Sequence, residues 1–401
     1  MLDRSTIPKN KAVTLKVRYN SLHMRIALVC PYNYFRPGGV QACIRALATE
    51  LTDRGHYVRV IIPRPKKVPD NIDEHIIMIG GSTEFQTPFA TKADLSMSKS
   101  GDAIEDVLER EKFDVIHYHE PGIPLLSLQI IGKSTSANVG TMHATLPESM
   151  VSKSFEKLMM PFAKFIEPRL HVVTAVSEVA KEAALTYGPD REIDIVPNGI
   201  RIKDYVPKKK RATPTKKSIV AIGRLEKRKG IKYLLDAYAL LRQTYSDVTL
   251  TIAGDGGLRE SLEARVEKYA IPDVTFVGFV SDEEKVRLMQ QADIYCSPAI
   301  YGESFGIVLL EAMAAGAVIV AGNNPGYSGV LTGKGKLSLV NPKNIDDFAQ
   351  RLELLLFDED MRDLMLEWSR EYVKQFDFPK IVDQYERMYK KAITIKKKKK
   401  S

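Results

Sequence analysis

Short, continuously apolar runs of strand length alternate with helix-patterned segments through most of the 401 residues, and the alternation begins twice. The first run, 24–30 (MRIALVC), stops at Pro31 and leads through a loop into a helical pattern from Val40 to Arg54, closed by Gly55. Further strand-like runs cover 57–62, 114–118, 137–142 and 171–176. Strands that read as apolar on both faces belong to parallel sheets, whose crossover helices cover them on either side. Residues 198–217 are polar and basic, carry Pro207 and Pro214, and read as a linker. The pattern then restarts at 218–222, 248–253, 274–277, 294–297 and 318–321. The expected fold is therefore α/β, with two Rossmann-like doubly wound domains in tandem, 24–197 and 218–375, and ligand loops at the carboxyl ends of their strands facing a shared cleft. Residues 1–23 read as a disordered extension and 392–401 as a basic tail. A helix over 376–391, by analogy with this fold class, crosses back to the first domain.

A chain of this length exceeds one hydrophobic core and suits two. Apolar residues at 44% and charged residues at 27% exclude a disordered protein, and no stretch approaches the roughly 18 consecutive apolar residues of a spanning helix. The first 23 residues lack an apolar segment of signal-peptide type. Cys30, Cys43 and Cys296 form no CxxC pair, which points to free thiols in a reducing cytoplasm. The net charge is +9, and Lys396–Lys400 supply five of those charges. A second basic run, Lys208–Arg211 with Lys216 and Lys217, lies in the linker. Such runs read first as solvated segments and second as contacts with an anionic membrane surface, so a peripheral position on the inner face is one expectation. Nucleic acid is not an expected partner, because basic and aromatic residues do not interleave along a folded face.

Three segments carry chemistry. In 301–316 (YGESFGIVLLEAMAAG) a glycine-rich turn follows a strand, Ser304 is placed to cap a helix, and Gly316 to end it. Glu303 then stands at the mouth of the cleft and Glu311 about two turns further along the same face. Two separated carboxylates suit a ligand with two polyhydroxyl ends, a hexose and a ribose. The N–H groups of Ser304, Phe305 and Gly306 suit the diphosphate between them. The plainer alternative makes Glu303 a helix cap and Glu311 a solvated charge. In 223–230 (GRLEKRKG), Arg224 and Lys229 flank a turn after the first strand of the second domain. A charge-assisted bond from either to a diphosphate is worth about 1.5–3 kcal/mol. Lys227 and Arg228 read as solvated. Finally, Gly38 and Gly39 between the first strand and helix allow backbone to approach a ligand closely.

Together with 113–121 (FDVIHYHEP), 141–146 (TMHATL), 196–200 (VPNGI) and 253–256 (AGDG), these segments resemble the family 4 retaining glycosyltransferases of GT-B fold. Among its members, the chain resembles the mycobacterial phosphatidylinositol mannosyltransferases from Met24 to about Lys391. The resemblance implies transfer of a hexose, mannose first, from a nucleotide-diphospho-sugar such as GDP-mannose to a sugar or lipid-linked acceptor. It implies that Glu303 holds hydroxyls of the donor sugar, Glu311 the ribose, and Arg224 and Lys229 the leaving diphosphate. Gly39 would meet the phosphates and His143 would sit beside the reacting carbon. His119 and Glu120 fall in the family's His-Glu-Pro loop beside the cleft and, with Tyr32, Gln41 and Lys92, are acceptor-side candidates. The family is thought to retain configuration by front-face attack, the leaving phosphate taking the acceptor's proton.

No metal or other cofactor is expected. His117 and His119 read as ordinary polar edge rather than ligands, no Asp-x-Asp ends a strand, and Asp358-Glu359-Asp360 reads as a solvated turn. Gly132-Lys133-Ser134 lacks the first glycine of a P-loop, and the first βα turn lacks G-x-G-x-x-G. On the acceptor side the likeness breaks. Ala90, Thr91, Lys92 and Leu95 stand where the phosphatidylinositol enzymes carry polar and basic residues, and the helix at 101–110 is acidic where theirs is basic. Two other readings stay open: a nucleotide-sugar epimerase of the same fold, and a non-catalytic nucleotide-sugar-binding protein.

Overall fold

The computed structural model describes residues 23–36, 38–86, 92–97, 102–123, 126–143, 157, 160–186, 190–207 and 216–399, with 81–86 and 92–97 described by their backbone. Fifteen strands are formed among them. In the first half these are β1 (Arg25–Val29), β2 (Tyr57–Pro63), β3 (Ile76–Ile79), β4 (Gly81–Gln86), β5 (Lys92–Met97), β6 (Val115–His119), β7 (Ala137–Met142), β8 (Val172–Ala175) and β9 (Ile193–Ile195). In the second they are β10 (Lys217–Ile222), β11 (Val248–Ala253), β12 (Val274–Gly278), β13 (Ile294–Ser297), β14 (Val318–Gly322) and β15 (Leu339–Val340).

The sheet orders are β3-β2-β1-β6-β7-β8-β9 and β12-β11-β10-β13-β14-β15, all parallel within each sheet. Each sheet thus reverses direction beside its first strand, between β1 and β6 and between β10 and β13. Such switch points open a crevice at the carboxyl ends of the strands. The central strands are buried on both faces: Ile26 through Val29 and Val115 through Tyr118 are fully enclosed, as continuous apolar runs require. The antiparallel hairpin of β4 and β5 was not apparent in the sequence pattern, nor were the short edge strands β3, β9 and β15.

The two cores meet. One apolar cluster runs from Ala27 and Tyr118 through Ile200 to Tyr295, Phe305 and Phe376, so residues of both sheets share it. The chain passes between domains twice, side by side. Ile200 N–H donates to the Phe376 carbonyl at 3.0 Å and Phe378 N–H to the Ile200 carbonyl at 2.9 Å. Gly199 is required there by proximity, since a Cβ would lie 2.7 Å from Ile381 Cγ1 and 3.0 Å from the Phe376 carbonyl oxygen.

The last helix, Phe378–Lys398, is capped by Asp377 and lies on the first domain. Its buried stripe is Phe378, Ile381, Val382, Tyr385, Tyr389 and Ala392, one face of a 3.6-residue period. Arg54 reaches its Asp383 at 2.6 Å and Glu386 at 3.2 Å, and Lys391 reaches Asp194 at 2.9 Å. The expectation of a basic tail beginning at 392 needs correction. The apolar stripe continues through Ala392, with Ile393 and Ile395 packed on the first-domain core, so helix persists into the lysines. Within the expected linker, Ile202–Tyr205 is a turn of helix, and 208–215 lie outside the described residues, as do 1–22. Asp358 is not in a free turn: its side chain accepts the Met361 N–H and caps the helix Glu359–Tyr372. All three cysteines are free and buried. Among the described residues no helix is long and apolar enough to cross a membrane.

Candidate active site

The loops after β10 and β13 meet at the switch point of the second sheet. After β10, Gly223 N–H donates to the Ala253 carbonyl and Leu225 N–H to the Asp255 carbonyl, which seats this turn on the one after β11. The short helical turn Lys227–Lys229 then aims two cations at one carboxylate. Arg228 Nη1 and Lys229 Nζ both lie 2.7 Å from Glu303 Oε1. This corrects the expectation that Arg228 is merely solvated, because Glu303 and the Gly302 carbonyl both hold it. Arg224 stands apart at the rim, its side chain 47% exposed and paired with Glu226 at 2.8 Å. Glu226 also accepts from Arg228, so charges alternate in sign along Arg224, Glu226, Arg228 and Glu303.

The helix expected to be capped by Ser304 is capped two residues later, by Gly306, and runs Ile307–Ala315. Its N-cap is Gly306 at φ 104°, a left-handed conformation, and a Cβ there would fall 2.6 Å from the Tyr327 ring. Glu303 therefore sits on the loop ahead of the helix, further from its first turn than a cap at Ser304 would put it. Ser304 is not the N-cap residue; its carbonyl accepts the Ser177 hydroxyl of the first domain. The Phe305 ring turns into the core, edge-on to Phe376 with centroids 6.0 Å apart, so only its backbone remains for the cleft. Gly316 at φ 85° ends the helix as expected.

Glu311 is 7% exposed, which overturns its alternative reading as a solvated charge. Tyr205 OH donates to its Oε1 at 2.8 Å and Lys285 Nζ lies 3.0 Å from the same oxygen. The other oxygen, Oε2, is buried and has no hydrogen-bond partner among the described residues. Tyr205 and Lys285 were not singled out in the sequence. Neither stands in a motif, and each reaches Glu311 from a different element.

On the facing side, Gly39 opens the helix Gly39–Asp53, and a Cβ on it would meet Ile307 Cδ1 at 3.8 Å. The glycine turn of the first domain thus confronts the helix start of the second. Gly38 is extended, and Gln41 lies over it, donating from Nε2 to the Asn33 carbonyl at 3.3 Å. Beyond β6, Glu120 adopts φ 52°, a conformation few side-chain-bearing residues take. Its Oε1 accepts the His143 backbone N–H. Burial, and next the Glu120 charge, hold the Tyr32 phenol well above its ordinary range. Lys92 opens β5, in the two-stranded hairpin with β4 that is separate from the seven-stranded sheet.

His117 and His119 are wholly buried on a central strand, not at a polar edge, and a third imidazole joins them. His117 bonds Tyr389 OH through Nδ1 at 2.9 Å and Thr141 Oγ1 through Nε2 at 2.6 Å. Its ring lies 4.1 Å from that of His119, whose Nδ1 is 2.9 Å from His143 Nε2. Burial lowers His117 to about 3 and His143 to about 4, and His119 well below the usual value, so all three are neutral near pH 7. Among the described residues no group of His, Cys, Asp and Glu is arranged to hold a metal ion.

Two family models match the chain, "Glycosyltransferase Family 4" over residues 37–204 and "Glycosyl transferases group 1" over 203–372. The chain is 30% identical over 378 residues to the phosphatidyl-myo-inositol mannosyltransferase of Mycobacterium leprae, covering 92% of this chain and 98% of that protein. It is 32% identical to the Propionibacterium freudenreichii protein of the same name, covering 91% and 94%. By structure it superimposes on sucrose-phosphate synthase from Thermosynechococcus elongatus with a TM-score of 0.71 at 20% identity, covering 91% of this chain and 98% of that one. An Anabaena protein in complex with UDP and glucose gives a TM-score of 0.70 at 19% identity, covering 91% and 99%. The chain is a glycosyltransferase of two facing parallel-sheet α/β domains, and it belongs to the family 4 glycosyltransferases of GT-B fold.

Proposed function

We propose that the protein transfers mannose, with retention of configuration, from a nucleotide-diphospho-mannose (GDP-mannose first) to an acceptor other than an inositol lipid. The observation that carries the donor side is Glu311. A buried carboxylate with one oxygen held by Tyr205 and Lys285 and the other unpartnered is an incomplete hydrogen-bonding group, and a ribose diol supplies the missing donor. Glu303 takes the sugar hydroxyls, while Lys229 and Arg224, joined by Arg228, take the diphosphate. The backbone at Ser304, Phe305 and Gly306 and the turn at Gly38 and Gly39 close around it. Mannose is favoured because relatives at about 30% identity carry mannosyltransferase names.

Catalysis then rests on positioning and on neutralising the leaving group. Glu120 is engaged by the His143 N–H and Glu303 by two cations, so neither carboxylate is offered as a free nucleophile. That favours front-face attack, with the departing phosphate accepting the acceptor's proton and no metal required. The acidic first turn at Asp102 and Glu105 argues against an anionic inositol lipid on this side. Tyr32, Gln41, Lys92 and Glu120 are the acceptor-side candidates. Lys396, Lys397 and Lys398 in the last helical turn bring the enzyme to an anionic membrane from the cytoplasmic side, where a lipid-linked sugar is the acceptor. Thermal-shift measurements with GDP-, UDP- and ADP-sugars test the donor. Saturation at a hundred times Kd is worth about 2.7 kcal/mol of stability, and a folded sample indifferent to every nucleotide sugar refutes the reading.

A further inference from the structure

We propose that His119 is a positioning residue that fixes the tautomer of His143, so that His143 presents an Nδ1–H to the donor. This rests on the reading that His143 lies beside the donor sugar. The sequence suggested His119 as an acceptor contact, but its side chain has no exposure at all and stands behind His143. It therefore acts through its neighbour.

The two rings share a single contact, His119 Nδ1 to His143 Nε2 at 2.9 Å, and one proton must lie in it. If His143 supplied that proton, His119 would carry its own on Nε2. That atom is buried and has no hydrogen-bond partner among the described residues, so it would be an orphaned N–H. Buried N–H groups without acceptors are rarer in folded proteins than unpaired acceptors. If His119 supplies the proton instead, its Nε2 is a bare lone pair and His143 must carry its own proton on Nδ1. The second arrangement is the one the geometry points to. Nothing leaves the His119 ring free to turn: it lies on His117, whose two nitrogens are both engaged, by Tyr389 and by Thr141. His143 is pinned as well, its backbone N–H on Glu120 and its Nε2 on His119. Among the described residues its Nδ1 has no partner, at the carboxyl end of β7 where the cleft begins. An N–H at that atom suits an oxygen of the sugar or of the departing diphosphate.

The test is a long-range nitrogen–proton NMR spectrum of the full chain with 15N-labelled histidine, His143 being assigned by the signals lost in His143→Gln. The expected result is a pyrrole-type Nδ1 and a pyridine-type Nε2 on His143; the reverse assignment overturns the proposal. His119→Asn keeps an N–H where Nδ1 stands, whereas His119→Phe has none. We expect His119→Phe to shift His143 toward the other tautomer and to lower kcat about tenfold, the equivalent of one neutral hydrogen bond, with the donor KM little changed. His119→Asn should recover most of that loss. Equal loss in two folded variants overturns the proposal, and if neither folds the wild-type spectrum decides alone. Full turnover by His143→Gln would instead overturn the placing of His143 beside the donor, whatever tautomer the spectrum shows.

Discussion

Removing the Glu303 charge should separate two functions that the cluster combines. Arg228 and Lys229 each approach Glu303 Oε1 at 2.7 Å, and the three side chains are 21%, 18% and 13% exposed. Solvent screens such a group only in part. A charge-assisted hydrogen bond is worth about 1.5–3 kcal/mol net, and the residual exposure favours the lower figure. A diphosphate arriving on these cations must share them with the carboxylate. In Glu303→Gln it meets them unopposed, and regaining about 1.4 kcal/mol is a tenfold gain in affinity. Bare GDP should therefore bind about tenfold more tightly at low salt, and the gain should shrink as salt is raised. Turnover should move the other way, because Gln is a weaker acceptor for the sugar hydroxyls. Loss of one preorganised contact costs about 2.7–4 kcal/mol of barrier, a hundredfold or more in rate. Isothermal titration with GDP at two salt concentrations, beside initial rates with the full donor, measures both halves. If Glu303→Gln weakened GDP binding as much as Arg228→Ala did, Glu303 would not be competing for these cations and the argument would be refuted.

Other outcomes follow from the same geometry. Glu311→Ala removes the acceptor of Tyr205 OH, leaves Lys285 only its longer pair with Asp282 at 3.8 Å, and deprives the proposed ribose of its acceptor, so titration should show GDP affinity down about tenfold or more; unchanged affinity would place the nucleoside elsewhere. Histidines lowered in the folded state bind protons on unfolding, so stability should be full above pH about 6.5 and fall as pH drops toward 4, by about 1.4 kcal/mol per pH unit for each histidine; a flat denaturation profile between those values would contradict the burial of His117 and His143. Tyr389→Phe removes the 2.9 Å bond to His117 and should cost about 1 kcal/mol, a Tm lower by about 2–4 °C in calorimetry, with a larger drop pointing to lost docking of the last helix. Deleting 396–401 should weaken binding to anionic vesicles in a salt-dependent way while sparing donor affinity; salt-independent binding would rule out the lysines.

The parts of this protein that were legible in its sequence are those encoded locally. Parallel strands declare themselves because both faces are apolar, and every strand of the two sheet centres lay within a residue or two of its expected place. The edge strands did not, since β9 and β15 are only three and two residues long and carry no periodicity to read. The boundary of helix Ile307–Ala315 was missed for a chemical reason. Ser304 has the side chain of a cap, but the Tyr327 ring fills the space beside residue 306 and only a left-handed glycine fits the turn. Local capping preference yielded to packing from another element.

The contacts around the chemistry are of a different kind. Glu303 and Glu311 were visible because they share one segment, while their partners come from elsewhere: Arg228 from the loop after β10, Lys285 from a separate helix, Tyr205 from the passage between domains. In the sequence Arg228 reads as solvated, because charge in a turn looks the same whether it faces water or a carboxylate. His119 ends β6 and His143 follows the last residue of β7, and their pairing is a consequence of the register of these adjacent strands, with His119 opposite Thr141. No spacing rule within one strand reveals it. The same reasoning says where variation changes specificity. On the proposed donor site, a substitution at Glu303 or Glu311 would act on the donor directly, whereas one at Tyr205, Lys285 or His119 would act through the group it holds. Tyr205 lies in the passage between domains and bonds Glu311, so the carboxylate proposed to hold the ribose is tied through that side chain to the segment that also forms the Ile200–Phe376 crossing.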